Sequence, residues 1–140
     1  MLLINYSEMH KIVHNGYILA IIIQENFSAE GISFFTPSDF SQQLGYMNRP
    51  EGYKIKPHIH KPVPREVTLT QEVLFIKSGK VRIDFYDEEK LFLRSHILRK
   101  GDTILLASGG HGFEMLEDSE IIEVKQGPYC GEIDKERFDA

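Results

Sequence analysis

The chain has 140 residues, of which 41% are hydrophobic and 26% charged, with a formal net charge of -5 at pH 7; this is material for one ordinary domain with a proper core. Its lysines and arginines are scattered with no basic block, which excludes the electrostatic footprint of a nucleic-acid or anionic-membrane binder. The single cysteine, Cys130, excludes an internal disulfide and a cysteine-based zinc site and fits a reducing compartment.

The opening residues, MLLINYSEMHK, lack the basic region, long apolar core and small-residue cleavage site of a signal peptide. The longest apolar run, YILAIII from Tyr17 to Ile23, is far short of the roughly 20 residues of a membrane-spanning helix. A cytoplasmic protein without nucleic-acid or membrane partners is expected. Repeats, low-complexity tracts and long flexible linkers are absent, so residues 1–140 read as one domain.

YILAIII is rich in β-branched residues and is bounded by Asn15-Gly16 and Glu25-Asn26, the punctuation of a buried strand. The stretch GYKIKPHIH, 52–60, reads as a short strand ending in two histidines. EVLFI (72–76) follows, and then VRIDFY (81–86), whose Val81, Ile83 and Phe85 alternate with polar neighbours and place one face on a core. KLFLRSHIL (90–98), DTILLAS (102–108) and EIIEVK (120–125) complete the series, with turn signals at Ser78-Gly79, Lys100-Gly101, Ser108-Gly109-Gly110 and Glu117-Asp118-Ser119. Short strands about ten residues apart predict an all-β sandwich or barrel. Residues after Ser38 could hold one helical turn.

Residues i and i+2 of a strand face the same way, about 6.5–7 Å apart along the chain, so the rings of His58 and His60 can converge on one point. Neutral imidazoles are natural metal donors near pH 7. A His-x-His pair by itself is equally the look of surface polar packing, and its surroundings carry the argument. Gly52 stands six positions before His58, Glu72 opens an apolar strand, Gly79 lies seven positions later, and a second block, GDTILLASGGHGF, runs from Gly101 to Phe113.

These two blocks resemble the paired motifs of the cupin superfamily, G-x5-H-x-H-x3or4-E-x6-G and G-x5-P-x-G-x2-H-x3-N, over roughly residues 40–126. The resemblance implies a double-stranded β-helix or jelly-roll barrel, with N-terminal strands before it and a short C-terminal tail. It also implies a metal site of His58, His60, Glu72 and His111. Such donors suit one divalent transition metal, whether iron, manganese, nickel, zinc or copper. Three departures accompany it. Eleven residues, KPVPREVTLTQ, separate His60 from Glu72, so the connecting loop is enlarged. Ala107 replaces the motif proline, and one residue is missing before His111. Met115 stands at the asparagine position.

Glu66 is the rival acid. Glu72 keeps the spacing to Gly79 and shares strand parity with Leu74 and Ile76, whereas Glu66 falls in a proline-punctuated loop. Glu72 is the expected ligand. His10 and His14 have the spacing of a helical metal pair without a carboxylate partner, and His96 reads as a partly exposed strand residue. Lys56 shares the parity of His58 and could meet an anionic substrate, although an exposed lysine is the plainer reading. Tyr46 and Tyr53 read as packing aromatics, and Cys130 as an incidental thiol.

Cupins include oxygenases, isomerases, decarboxylases and ligand-sensing modules, so the resemblance alone does not choose a reaction. The leading expectation is a metal-dependent oxygenase or isomerase acting on a small polar metabolite, and the closing stretch EVKQGPYCGEIDKERF hints at a sugar or sugar-derived acid. The alternatives are a non-catalytic metal- or metabolite-binding module, and a metal-independent nucleotide-sugar isomerase or epimerase. The resemblance further implies a homodimer.

Overall fold

The computed structural model describes residues 8–140. Among these the chain forms strands and turns without an α-helix. In chain order the strands are β1 (Met9–His14), β2 (Tyr17–Ile23), β3 (Gly31–Phe34), β4 (Gly45–Asn48), β5 (Glu72–Ser78), β6 (Lys80–Tyr86), β7 (Phe92–Arg99), β8 (Thr103–Leu106), β9 (Gly110–Met115) and β10 (Glu120–Lys125). They make a five-stranded sheet in the order β1-β2-β8-β5-β10, a three-stranded sheet β7-β6-β9 and a two-stranded ribbon β3-β4. Every pairing is antiparallel.

The two larger sheets face each other across one apolar cluster, which unites Ala20, Ile22, Leu74, Ile76, Ile104 and Leu106 of the first with Val81, Ile83, Phe85 and Leu98 of the second. Alternation along each strand puts these residues on the inner faces. The outer face of the five-stranded sheet is also covered. Ile21, Ile23 and Leu105 pack there with Phe27 and Phe35, backed by Phe40, Leu44, Tyr46 and Val73. That second layer explains why β2 is apolar at nearly every position: it is buried on both faces.

From β5 onward the chain moves repeatedly between the sheets: β5, β8 and β10 belong to the larger, β6, β7 and β9 to the smaller. The tight crossing from β5 to β6 turns on Gly79. Its φ is +91°, and a Cβ there would collide with the Ser119 side chain and the Asp118 carbonyl. At the next arch a Cβ on Gly109, φ +74°, would lie 2.9 Å from both the Leu19 side chain and the Tyr86 carbonyl. These are two of the motif glycines, and only glycine fits either place without strain.

Two local expectations are corrected. Residues 53–68 form no strand, and His58 and His60 therefore do not lie on one. Extended backbone becomes a strand only when a neighbour completes its hydrogen bonds, and Pro57, Pro62 and Pro64 cannot donate. The segment after Ser38 is a non-helical turn closed by Phe40 N–H donating to the Pro37 carbonyl at 3.2 Å. No helix of the described residues is long and apolar enough to cross a membrane.

Candidate metal centre

Glu72 opens β5, in register with Leu106 of β8 and Lys125 of β10. It shares the inner face with Leu74 and Ile76, which are 6% and 0% exposed. His111 lies on β9 opposite Phe85 of β6, a residue only 1% exposed, so its ring is also aimed between the sheets. The two side chains meet there: His111 Nε2 lies 3.1 Å from Glu72 Oε1. Both are partly shielded from water, with side-chain exposures of 28% and 17% respectively.

The hydrogen bond from His111 is the largest influence on Glu72 and, against the opposing effect of burial, lowers its pKa from 4.5 to about 2. A third group stands beside them. Glu123 of β10 stands in register with Leu74, beside Glu72, and its pKa is raised, first by its interaction with Glu72 and then by burial. The pair therefore holds one firmly ionised carboxylate and one that protonates more readily, a division common where carboxylates share a site. Sequence reading passed over Glu123, although its parity with Ile121 and Lys125 in EIIEVK placed it on one face of the strand.

His58 and His60 lie apart from this group on the connection between β4 and β5, where every residue from 47 to 69 is exposed. Their rings are neighbours, with centroids 5.1 Å apart. The His58 Nδ1–H can donate to the Lys56 carbonyl at 2.9 Å, and in that tautomer Nε2 keeps a free lone pair, the state of a metal-ligating imidazole. Among the described residues no three His, Cys, Asp or Glu side chains are grouped closely enough within one chain to hold a metal ion. Two of the four residues in the expected set are thus brought together and two are held outside.

Glu66, the rival acid, lines a different cleft of about 270 Å³ with Tyr17, Ser41, Gln71 and Ser108, which does not include Glu72 or His111. His10 and His14 lie on strand β1 rather than on a helix. His14 faces Asp87 at 4.0 Å, and His10 packs against His96 with ring centroids 5.3 Å apart. Cys130 is free and exposed. The chain matches no family model, and no curated protein or solved structure shows a significant match to it.

Proposed function

We propose that the chain is a metal-binding jelly roll of the cupin type, acting as a metal-dependent enzyme on a small polar metabolite. One observation carries the reading: Glu72 and His111, 39 residues apart and singled out by separate motifs, converge to 3.1 Å between the two sheets. The alternation of strands between two facing sheets from β5 to β10 supports a jelly-roll reading, an eight-stranded arrangement of two sheets. The glycine crossings at Gly79 and Gly109 occur where the motifs require glycine.

The donor set fits a divalent transition ion. Glu72 would offer an ionised carboxylate and His111 an imidazole nitrogen; His58 and His60, which lie apart from them within one chain, would supply the remaining donors. Such an ion would supply Lewis acidity to a bound metabolite. Glu123, raised in pKa beside Glu72, is placed to hold or release a proton at its carboxylate.

The Glu72–Glu123 pair also favours a second reading, acid–base chemistry without a metal, as in an isomerase or epimerase. Elemental analysis of untagged protein decides between them, run beside the His58→Ala/His60→Ala variant. About one transition-metal ion per chain, lost in the variant, is the expected result. Absence of bound metal after reconstitution with iron(II), manganese(II), nickel(II) and zinc(II) would overturn the first reading in favour of the second.

A further inference from the structure

Residues 49–71 join β4 to β5 without regular structure, well beyond the roughly 12–15 residues at which structureless loops become uncommon. The segment is not the polar coil such a length suggests. Tyr53, Ile55, Ile59, Val63 and Val67 recur at even spacing along it, and all are exposed, Ile59 at 90%. That is the period of a strand with one apolar face; His58 and His60 lie on the opposite face with Lys54 and Lys56, and Pro57, Pro62 and Pro64 hold the segment extended. Both ends are anchored to the body: Asn48 Nδ2 donates to the Ala29 carbonyl at 3.0 Å, and Thr70 Oγ1 donates to Asp134 at 2.9 Å. Between the anchors, no hydrogen bond joins the arm to β9 of its own chain.

The body has a matching vacancy. The smaller sheet has three strands and ends at β9, whose outer edge is unpaired among the described residues. A free edge is a template for another strand. Phe113 and Met115 point inward from β9 yet remain 37% and 50% exposed, because no strand lies beyond them to close the sandwich. Charge favours this side of the sandwich over the β7 side. The arm carries Arg49, Lys54, Lys56, Lys61 and Arg65 against Glu51 and Glu66. The β9–β10 side carries Glu117, Asp118, Glu120 and Glu123 against Lys125, whereas the opposite edge, β7, carries Arg94 and Arg99.

We infer that two copies of this chain exchange arms: the arm of one lies along the free edge of β9 in the other and brings its His58 and His60 to that copy's Glu72 and His111. The metal centre is then shared between chains, with two donors from each. Exchange of an identical element is a low-cost route to a dimer, because the same contacts are available to both partners. It also accounts for the enlarged loop between His60 and Glu72, which a ligand pair delivered within one chain would not require. The shared centre rests on the metal-binding reading above; the exchange of arms rests on the free backbone edge of β9 and the opposite charges of arm and edge, with the histidine face of the arm turned toward the sandwich and its apolar face outward.

The test has two parts. A photo-crosslinking residue replaces Ile59 in a mixture of isotope-labelled and unlabelled chains, unfolded and refolded together, and crosslinked peptides are identified by mass spectrometry. Mixed-isotope crosslinks from position 59 to residues 110–115 are expected; crosslinks only within single chains, or a monomeric protein, would overturn the exchange. In the second part, His58→Ala/His60→Ala chains are co-expressed with Glu72→Gln/His111→Ala chains and the mixed dimer is isolated by two tags. One metal ion per mixed dimer is expected although neither homodimer binds any, because one intact arm then meets one intact body. A metal-free mixed dimer from a metal-binding wild type overturns the shared centre. Mixed-isotope crosslinks in a wild type that takes up no metal instead overturn the metal-binding reading and leave the exchange standing.

Discussion

Glu72 and His111 come from different sheets, and their 3.1 Å contact is a polar tie beside an interior of apolar packing. Removing either partner acts on two properties at once. In the metal-free protein Glu72→Gln weakens a half-shielded, charge-assisted contact, for which a loss of about 1 kcal/mol is expected by urea unfolding. On the metal-binding proposal the same change would also remove a ligand. Metal affinity is expected to fall by more than the roughly 10–100-fold that loss of a supporting outer partner costs. Competition with a chelator of known affinity measures it, and an unchanged metal affinity would remove Glu72 from the donor set.

Gly79 and Gly52 separate backbone strain from steric collision. Both have positive φ, +91° and +83°, but a Cβ at Gly52 meets open space whereas one at Gly79 meets the Ser119 side chain and the Asp118 backbone. Gly52→Ala is expected to cost only the conformational penalty, about 1 kcal/mol. Gly79→Ala adds displacement of the β9–β10 turn and is expected to cost about 2–3 kcal/mol. Equal losses in denaturant unfolding would mean that the crossing from β5 to β6 is looser than its geometry implies.

Ile83 tests whether the two sheets share one cooperative core. It is fully buried and lies between His96 of β7 and Phe113 of β9 in the register of the smaller sheet. Truncation to alanine is expected to cost about 2–5 kcal/mol and truncation to valine about 0.5–1.5 kcal/mol. A single unfolding transition is expected for both variants, seen alike by far-ultraviolet circular dichroism and by tyrosine fluorescence. Separate transitions would mean that the sheets unfold independently.

The pattern of legible and illegible elements follows from where the stabilising partners lie. VRIDFY became β6 because alternation on a sheet face is local information, and EIIEVK became β10 because its β-branched residues follow a clear turn signal at Glu117-Asp118-Ser119. YILAIII became β2 because only a strand covered on both sides bears that composition. β1 was harder, since MHKIVH mixes histidines with aliphatics, yet the signal was present in the turn after it. Asn15 and Gly16, with φ of +49° and +78°, make the two-residue turn that requires a strand on each side. The four-residue strands β3 and β4 are too short to establish a period. At 52–60 the expectation of a strand rested on local pattern alone, and a strand needs a neighbour that no local pattern can supply. The same limit applies to the site: motif spacing led to Glu72 and His111, while the approach of Glu123 depended on the pairing of β10 with β5.

The histidine pair at the opposite side of the sandwich sets the expected pH dependence of stability. His10 of β1 and His96 of β7 pack with centroids 5.3 Å apart, and His10 Nε2 is buried without a hydrogen-bond partner. The pKa of His96 is lowered, first by burial and then by the positive charge of neighbouring His10, Arg94 and Arg99, with Asp102 opposing. A group with a folded pKa below its unfolded value binds its proton less readily in the native state. Its contribution is therefore present above the unfolded pKa of about 6.5 and is lost as pH falls toward the folded value. One such group changes stability by at most about 1.4 kcal/mol per pH unit. Thermal unfolding of metal-free protein between pH 7.5 and 5 is expected to show a falling midpoint, and His96→Gln is expected to flatten that fall. An identical slope in the variant would assign the acid sensitivity to other groups.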